Sequence, residues 1–325
     1  MSAPANRALQ KYILGAVLGS TDSSTTYQTS PAGTLAIKVW KEEPGRICDA
    51  ELEIEINSLL REGLQANTID PQKIKNLNIM LEAYTLEGRR HGVFPLIEGV
   101  TLEKAGYALT KLDPAHRLLV VLRAFTDVCR GLELMHKPWY TSRKTGIVHR
   151  DVKPGNVMLT PLGTAVLFDY GLSKPDDKLP IPDEICGSFL YSPEEQLMNK
   201  HVRTTADMYS LGMSVYETLT GDFPHNFELT EFDNALTTAW KVLEKIQKEA
   251  PEKLSKHFTE APKEITDLVS KLLAKDPTTR PTSAQTAECF RECAMKTQRD
   301  KRVSDEQLLR ITRDIVTRAT TSANR

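Results

Sequence analysis

The hydrophobic pattern of the chain changes period once, near Gly99, and that change restricts the fold more than any other feature. Before Gly99 the apolar residues come in short runs. Tyr12 to Leu18 and Thr25 to Thr29 flank a Ser/Thr-rich stretch that reads as a turn, and Leu35-Ala36-Ile37-Lys38-Val39-Trp40 alternates as a strand does. Asn78 to Tyr84 and His91 to Ile97 are two further strand-like runs. One helical pattern interrupts them, Asp49 to Leu60, with Ile54, Ile56, Leu59 and Leu60 as its apolar positions. Beyond Gly99, Arg117 to Met135 carries Leu118, Val121, Leu122, Phe125, Val128, Cys129 and Leu132 near the helical period. Further helices are predicted at Ala206 to Leu219, Ala235 to Gln247, Glu264 to Leu273 and Ser283 to Met295. Strands first and helices afterwards predict an α+β chain with two unequal lobes. The sequence contains no internal repeat and no low-complexity block.

At 325 residues the chain has length for about two domains and can bury a sizeable core. Its net charge of −1 supplies no global basic field for nucleic acid or an anionic membrane. The apolar run Leu118 to Leu122 stops at Arg123, far short of a bilayer span, and Met1 to Lys11 lacks the apolar core of a signal peptide. A soluble, cytoplasmic protein without nucleic-acid partners is the expectation. The 5 cysteines are an odd number, and Cys48, Cys129 and Cys186 are isolated, which fits reduced thiols. Cys289 and Cys293 lie four apart in a helical pattern; with no His or Cys partner nearby in sequence, they read as buried thiols rather than half a metal site.

The stretch richest in chemistry is His149-Arg150-Asp151-Val152-Lys153-Pro154-Gly155-Asn156, which sets a carboxylate, a cation and an amide close together around a Pro-Gly break. Val157 to Thr160 and Thr164 to Phe168 read as strands joined by a turn at Pro161-Leu162-Gly163. Such a hairpin returns Asp169, in Asp169-Tyr170-Gly171, to the neighbourhood of Asn156. An amide and a carboxylate brought together offer the oxygen ligands that Mg²⁺ prefers.

These residues, in this order, resemble the eukaryotic-type protein kinase family, Ser/Thr branch. The resemblance spans about residues 12 to 295 and implies a bilobal kinase fold: N-lobe 1–97, C-lobe 98–298, and a basic amphipathic tail at 299–325. It implies transfer of the γ-phosphoryl group of ATP to Ser or Thr hydroxyls of a protein substrate, with ATP and Mg²⁺ as cofactors. By resemblance, Asp151 accepts or orients the substrate hydroxyl proton, Lys153 steadies the γ-phosphate, and Asn156 and Asp169 hold Mg²⁺. The Asp-x-Lys spelling at Asp151 and Lys153 is the family's form for Ser/Thr acceptors. His149 packs or bonds backbone rather than transferring protons. Lys38 reaches the α/β-phosphates, and Ala36, on the same strand face, leaves room for adenine. The helix offers Glu51, Glu53 and Glu55 as partners of Lys38. The apolar spacing after each favours Glu53, although Glu53 then has Asn57 where the family usually places an apolar residue, and Glu55 has Leu59 there. Val93 to Leu102 resembles the hinge, with Phe94 as gatekeeper and adenine contacts from the Pro95 carbonyl and the Ile97 N–H. Cys186 to Glu194 resembles the end of an activation segment, in which Glu194 pairs with Arg280, and Asp207 anchors the catalytic loop by accepting backbone N–H bonds.

The sequence departs from the family pattern in several places. In the phosphate loop, with Gly19 as first glycine, Thr21 and Ser24 stand at the other two glycine positions and Thr26 at the usual Val. Glycine serves there because bare backbone approaches phosphate and takes positive φ, so a weaker ATP grip is expected unless the hydroxyls donate to phosphate instead. This loop is the basis of the alternative reading, a pseudokinase scaffold that binds partners, and nucleotide too, without turnover. Tyr170 replaces the usual Phe, and its hydroxyl needs a partner if buried. Gly63 to Leu77 and Lys137 to Gly146 are longer than usual; the second, with Trp139, Tyr140, Arg143 and Lys144, is a solvated loop or a docking surface. From Leu172 to Gly187 the only hydroxyl is Ser173, so Asp183 or Glu184 is expected to supply the negative charge that neutralises Arg150. The tail from Lys296 carries a net +4, a capping box at Ser304 to Gln307, and a stripe of Leu308, Ile311, Ile315 and Ala319. Docking of that helix on the large lobe is the preferred reading; binding to lipid or a partner is the other.

Overall fold

The computed structural model describes residues 12–21, 23–30, 33–41, 49–65, 71–138, 145–176, 188–230 and 233–322. The first lobe is a five-stranded antiparallel sheet with one helix. Its strands are β1 (Ile13–Ser20), β2 (Ser24–Ser30), β3 (Leu35–Trp40), β4 (Glu82–Leu86) and β5 (Arg89–Pro95), in the order β1-β2-β3-β5-β4. Helix α1 (Asp49–Gln65) runs a turn further than its apolar pattern. The fourth strand begins later than Asn78 because the backbone before it is taken elsewhere. Asn78 N donates to Leu167 O at 3.0 Å, and Met80 N donates to Asn57 Oδ1 at 2.7 Å. Glu87 and Gly88, with φ of 49° and 81°, make the tight turn that joins β4 to β5. Gly92 lies opposite Lys38 in the ladder, where a Cβ would come within 2.8 Å of the Trp40 ring.

The chain crosses to the second lobe after Pro95. Strand β6 (Val100–Thr101) leads into α2 (Leu102–Thr110), which the apolar pattern did not mark and which Thr101 caps by accepting from Lys104 N at 3.2 Å. Helix α3 (Pro114–His136) starts three residues before the predicted Arg117, because Asp113 caps it, accepting from Ala115 N at 3.0 Å, and Pro114 occupies the first turn. Strand β7 (Ile147–Val148) pairs with β10 (Lys174–Pro175); between them, β8 (Val157–Leu159) and β9 (Ala165–Leu167) form the expected hairpin, with β8 also paired to β6. A Cβ on Gly99 would sit 2.4 Å from Leu159 O, so the entry to β6 runs hard against β8.

Then come α4 (Glu194–Leu197), α5 (Thr204–Thr220), α6 (Ala235–Lys248), α7 (Leu254–His257), α8 (Lys263–Leu272), α9 (Ser283–Asp300) and α10 (Asp305–Ser322). The core of this lobe gathers around α3, whose Leu119, Val121, Leu122, Phe125, Val128 and Leu132 are fully buried. Helix α3 packs against α5, α9, α10 and β9. Together the two lobes make the bilobal α+β fold.

The tail helix α10 lies on the large lobe of its own chain. Leu308, Thr312, Ile315, Val316 and Ala319 are buried against α2 and α3, and Asp305 bonds Arg123 and Gln298. No helix among the described residues is long and apolar enough to cross a membrane. Cys129 and Cys293 are buried free thiols and Cys289 is half-buried; Cys48 and Cys186 lie outside the described residues.

Candidate active site

Lys38 joins the two lobes. Its Nζ donates to Glu53 Oε2 and to Asp169 Oδ1, both at 2.7 Å. Of the three glutamates weighed for this pair, the structure brings in Glu53, whose side chain is buried. Glu51 instead reaches Arg90 at 3.2 Å on the surface. Asn57 explains why a polar residue follows Glu53 by one turn: its Nδ2 donates to Glu53 O at 2.8 Å while its Oδ1 receives Met80 N. That buried amide ties α1 to the sheet and sets where Glu53 points. Burial pushes the Glu53 carboxyl up to about 7, against the pull of Lys38. Burial alone would lower Lys38, but the charges of Asp169 and Glu53 override it and hold Lys38 protonated. Asp169 is likewise held below the ordinary carboxylate range, because Lys38 outweighs its burial.

Asp169 stands at the end of the β8–β9 hairpin with a φ of 68°, a left-handed conformation that costs free energy in a non-glycine residue. Its side chain remains 36% exposed. At the other end of the hairpin, Asn156 Nδ2 donates to Asp151 O at 2.9 Å and to Asp151 Oδ2 at 2.8 Å. Strand β9 is fixed from both sides: Asp127 Oδ2 accepts from Ala165 N at 3.1 Å, and Asn76 Nδ2 donates to Ala165 O at 2.9 Å.

The loop carrying Asp151 is anchored from below by Asp207 on α5, which is fully buried. Its two carboxylate oxygens accept from His149 N and Arg150 N, each at 2.8 Å, and His136 Nε2 lies 2.9 Å from Oδ2. Arg150 there has a φ of 68°. The His149 ring is buried, which lowers its pKa, and it stacks edge-on against Tyr170 with ring centroids 5.6 Å apart. Tyr170 in turn donates its buried hydroxyl to Leu167 O at 3.1 Å.

Lys153 Nζ bonds Asp151 Oδ2 at 2.9 Å and Ser188 Oγ at 2.6 Å, and Ser188 N donates to Asp151 Oδ1 at 3.1 Å. The end of the segment near Ser188 is held by Arg280, but through Glu195 rather than the expected Glu194. Arg280 Nη1 reaches Glu195 Oε1 at 2.6 Å, while Glu194 faces outward to Lys200 at 3.2 Å. Both glutamates open α4, where one residue turns the side chain by about 100° about the axis, and only the second points at Arg280. The spelling of the motif gave no signal for that choice.

A model of the protein kinase domain matches residues 14–290 of this chain. The chain belongs to the protein kinase domain family. It is 33% identical to the serine/threonine-protein kinase PknA of Mycobacterium tuberculosis over 197 residues, which cover 60% of this chain and 40% of PknA. It is 27% identical to PknL of Mycobacterium bovis over 274 residues, covering 83% of this chain and 62% of PknL. A probable serine/threonine-protein kinase of Clostridium perfringens is 30% identical over 213 residues, 64% of this chain and 28% of that protein. The chain thus spans well under half the length of two of these relatives.

In this kinase domain, Ala36 and Phe94 are buried and directly opposed in the β3–β5 ladder, and Phe94 packs with Trp40 and Met80. Pro95 closes β5, and Leu96 N donates to Thr34 O at 2.8 Å, which fixes the start of the connection that carries Ile97. In the phosphate loop, Gly19 pairs with Thr26, and Thr26 with Lys38. None of the described loop residues has a positive φ, and a Cβ on Gly19 would meet no atom within 4 Å. The described loop therefore takes none of the positive φ for which glycine serves, and Thr21 is accommodated in it. Ser173 is fully buried, donating to His149 O at 3.2 Å. Among the described residues, Arg150 Nε and Nη1 are buried without an acceptor. Asp183 and Glu184, assigned to that charge from the sequence, lie outside the described residues, as do Trp139, Tyr140, Arg143 and Lys144.

Proposed function

We propose that this domain is an ATP-dependent protein serine/threonine kinase. The observation that carries the reading is the bridge from Glu53 through Lys38 to Asp169, which aligns the first lobe with the Asp151–Asn156 pair. Phosphoryl transfer asks for positioning and charge stabilisation more than for strong basicity, and these groups offer both. Asp151 orients the acceptor hydroxyl and takes its proton. Lys153, already beside Asp151, steadies the γ-phosphate. Lys38 holds the α/β-phosphates. Adenine is bonded by the Pro95 carbonyl and the Ile97 N–H, beside Ala36, with Phe94 closing the space behind. Gly19 and Thr26 border the phosphates from above.

Asn156 and Asp169 fit Mg²⁺. The Asn156 amide spends its N–H bonds on Asp151, which leaves Oδ1 as a hard donor, and the Asp169 side chain remains partly exposed. Bound by these two residues, Mg²⁺ would neutralise charge on the phosphate oxygens. A Ser/Thr acceptor is supported by Lys153 and Ser188, which close around Asp151. We place the activity in the cytoplasm, where ATP and reduced thiols such as Cys129 are both kept.

The test is incubation with Mg-ATP and a basic substrate protein, with Asp151→Asn as control. Asp151→Asn is expected to lose roughly a hundredfold or more of the phosphate transfer. Equal incorporation by both proteins overturns the assignment of Asp151.

A further inference from the structure

The β1–β2 turn replaces glycine with hydroxyls and then uses those hydroxyls on itself. Thr21 N donates to Ser24 O at 2.8 Å, Ser24 N donates to Thr21 Oγ1 at 3.1 Å, and the Thr21 and Ser24 hydroxyls lie 3.3 Å apart. These bonds shape the turn, and on the β2 side the ladder to β3 holds it as far as Ser24, opposite Trp40. Strand β1 is the sheet edge, every one of its residues is exposed, and its ladder to β2 shifts register between Leu14 and Val17 and again before Gly19.

On the side of Ser20 and Thr21 the hold comes from one residue just past the neighbouring strand. Lys41, the first residue past β3, donates its backbone N–H to Ser23 O at 2.8 Å. Its Nζ donates to Thr21 O and reaches Ser20 Oγ at 3.4 Å. Among the described hydrogen bonds, no other side chain from outside the hairpin reaches residues 20–24. Lys41 stands three residues after Lys38, so the two cations fix opposite ends of one short path. Lys38 holds the carboxylates at the cleft floor, and Lys41 holds the tip of the loop that covers it.

We propose that Lys41 is a positioning residue for nucleotide binding: its two-point tether pins the hydroxyl-built loop in place over the phosphates. This rests on the kinase reading above. A loop located before ATP arrives has less freedom to lose on binding, and the gain falls on the phosphates rather than on adenine.

The experiment is calorimetric titration of Mg-ATP and of adenosine into the wild-type chain, Lys41→Met and Lys41→Arg, with steady-state kinetics beside it. Lys41→Met is expected to weaken Mg-ATP roughly fivefold, the scale of one or two exposed hydrogen bonds, while adenosine changes less than about twofold. KM for ATP should rise in step and kcat stay within about twofold. Lys41→Arg, which keeps a cationic donor, should restore most of the affinity. Unchanged ATP affinity in Lys41→Met overturns the proposal. So does a parallel loss of adenosine affinity, which would mark general damage to the lobe, or an Arg variant as weak as Met. A wild-type chain that binds ATP but transfers no phosphate leaves this binding test intact and overturns only the catalytic reading; one that binds no ATP overturns both.

Discussion

The two hairpins on either side of the Lys38–Asp169 bridge are held by different means. The β8–β9 hairpin and the loop before it rest on buried side chains: Asp207 beneath His149 and Arg150, Asp127 and Asn76 on either side of Ala165. The β1–β2 hairpin rests on the ladder of β2 to β3, on the Thr21 and Ser24 hydroxyls of its turn and on the reach of Lys41, with Ile13 63% and Val17 59% exposed. Buried anchors fix the backbone around the residues proposed to meet the reacting atoms, and there Arg150 and Asp169 sit in left-handed backbone that costs free energy. Exposed tethers suit a cover that admits and releases nucleotide. The difference teaches that the large lobe relies on buried acceptors and the sheet edge on a surface tether.

The sharpest way to break this contrast is at Asp207. Asp207→Ala leaves the N–H groups of His149 and Arg150 without acceptors in a buried site, at a cost of ~3 kcal/mol. Phosphate transfer is expected to fall more than about a hundredfold, and the urea midpoint to drop with it. Retention of both would show that the catalytic loop is held by something other than its buried acceptor.

Glu53 gives the next largest effect and a pH signature. Its folded pKa of about 7 lies above the ordinary 4.5, because burial favours the neutral acid. As pH falls through about 7 the carboxyl takes up a proton and its attraction for Lys38 fades, so activity should show an acid limb near that value. Glu53→Gln should lower the rate and remove the limb, while Glu55→Gln should be milder. For stability the sign is reversed. A raised folded pKa means that the group's contribution is full below about 4.5 and lost as pH rises through about 7. Melting temperatures of the two proteins should therefore move in favour of Glu53→Gln between pH 5 and pH 8. A difference independent of pH would remove Glu53 as the titrating group.

The smallest effect is expected at the sheet edge. Because the Thr21 hydroxyl closes the turn, Thr21→Gly with Ser24→Gly should loosen ATP binding by about two- to threefold rather than tighten it. Tighter binding would return the loop to the glycine logic of other kinases and weaken the contrast.

The sequence by itself determined the α+β order of elements, the polar residues of the catalytic stretch, and the β8–β9 hairpin that returns Asp169 toward Asn156. These depend on local period, turn chemistry and short spacing, all written along the chain. It also marked α10 and its apolar stripe. It favoured Glu53 over Glu55, with Asn57 counting against that choice until Met80 was seen to need that amide. It named Glu194 where Glu195 meets Arg280, since a rotation of one residue in a short helix is set by what lies beneath it. It missed α2, and it looked for glycine's positive φ in a loop whose described backbone has none. For Glu53 and Glu195 the deciding partner is a residue far away in the chain, and only the packed structure brings that partner's donor or charge within reach.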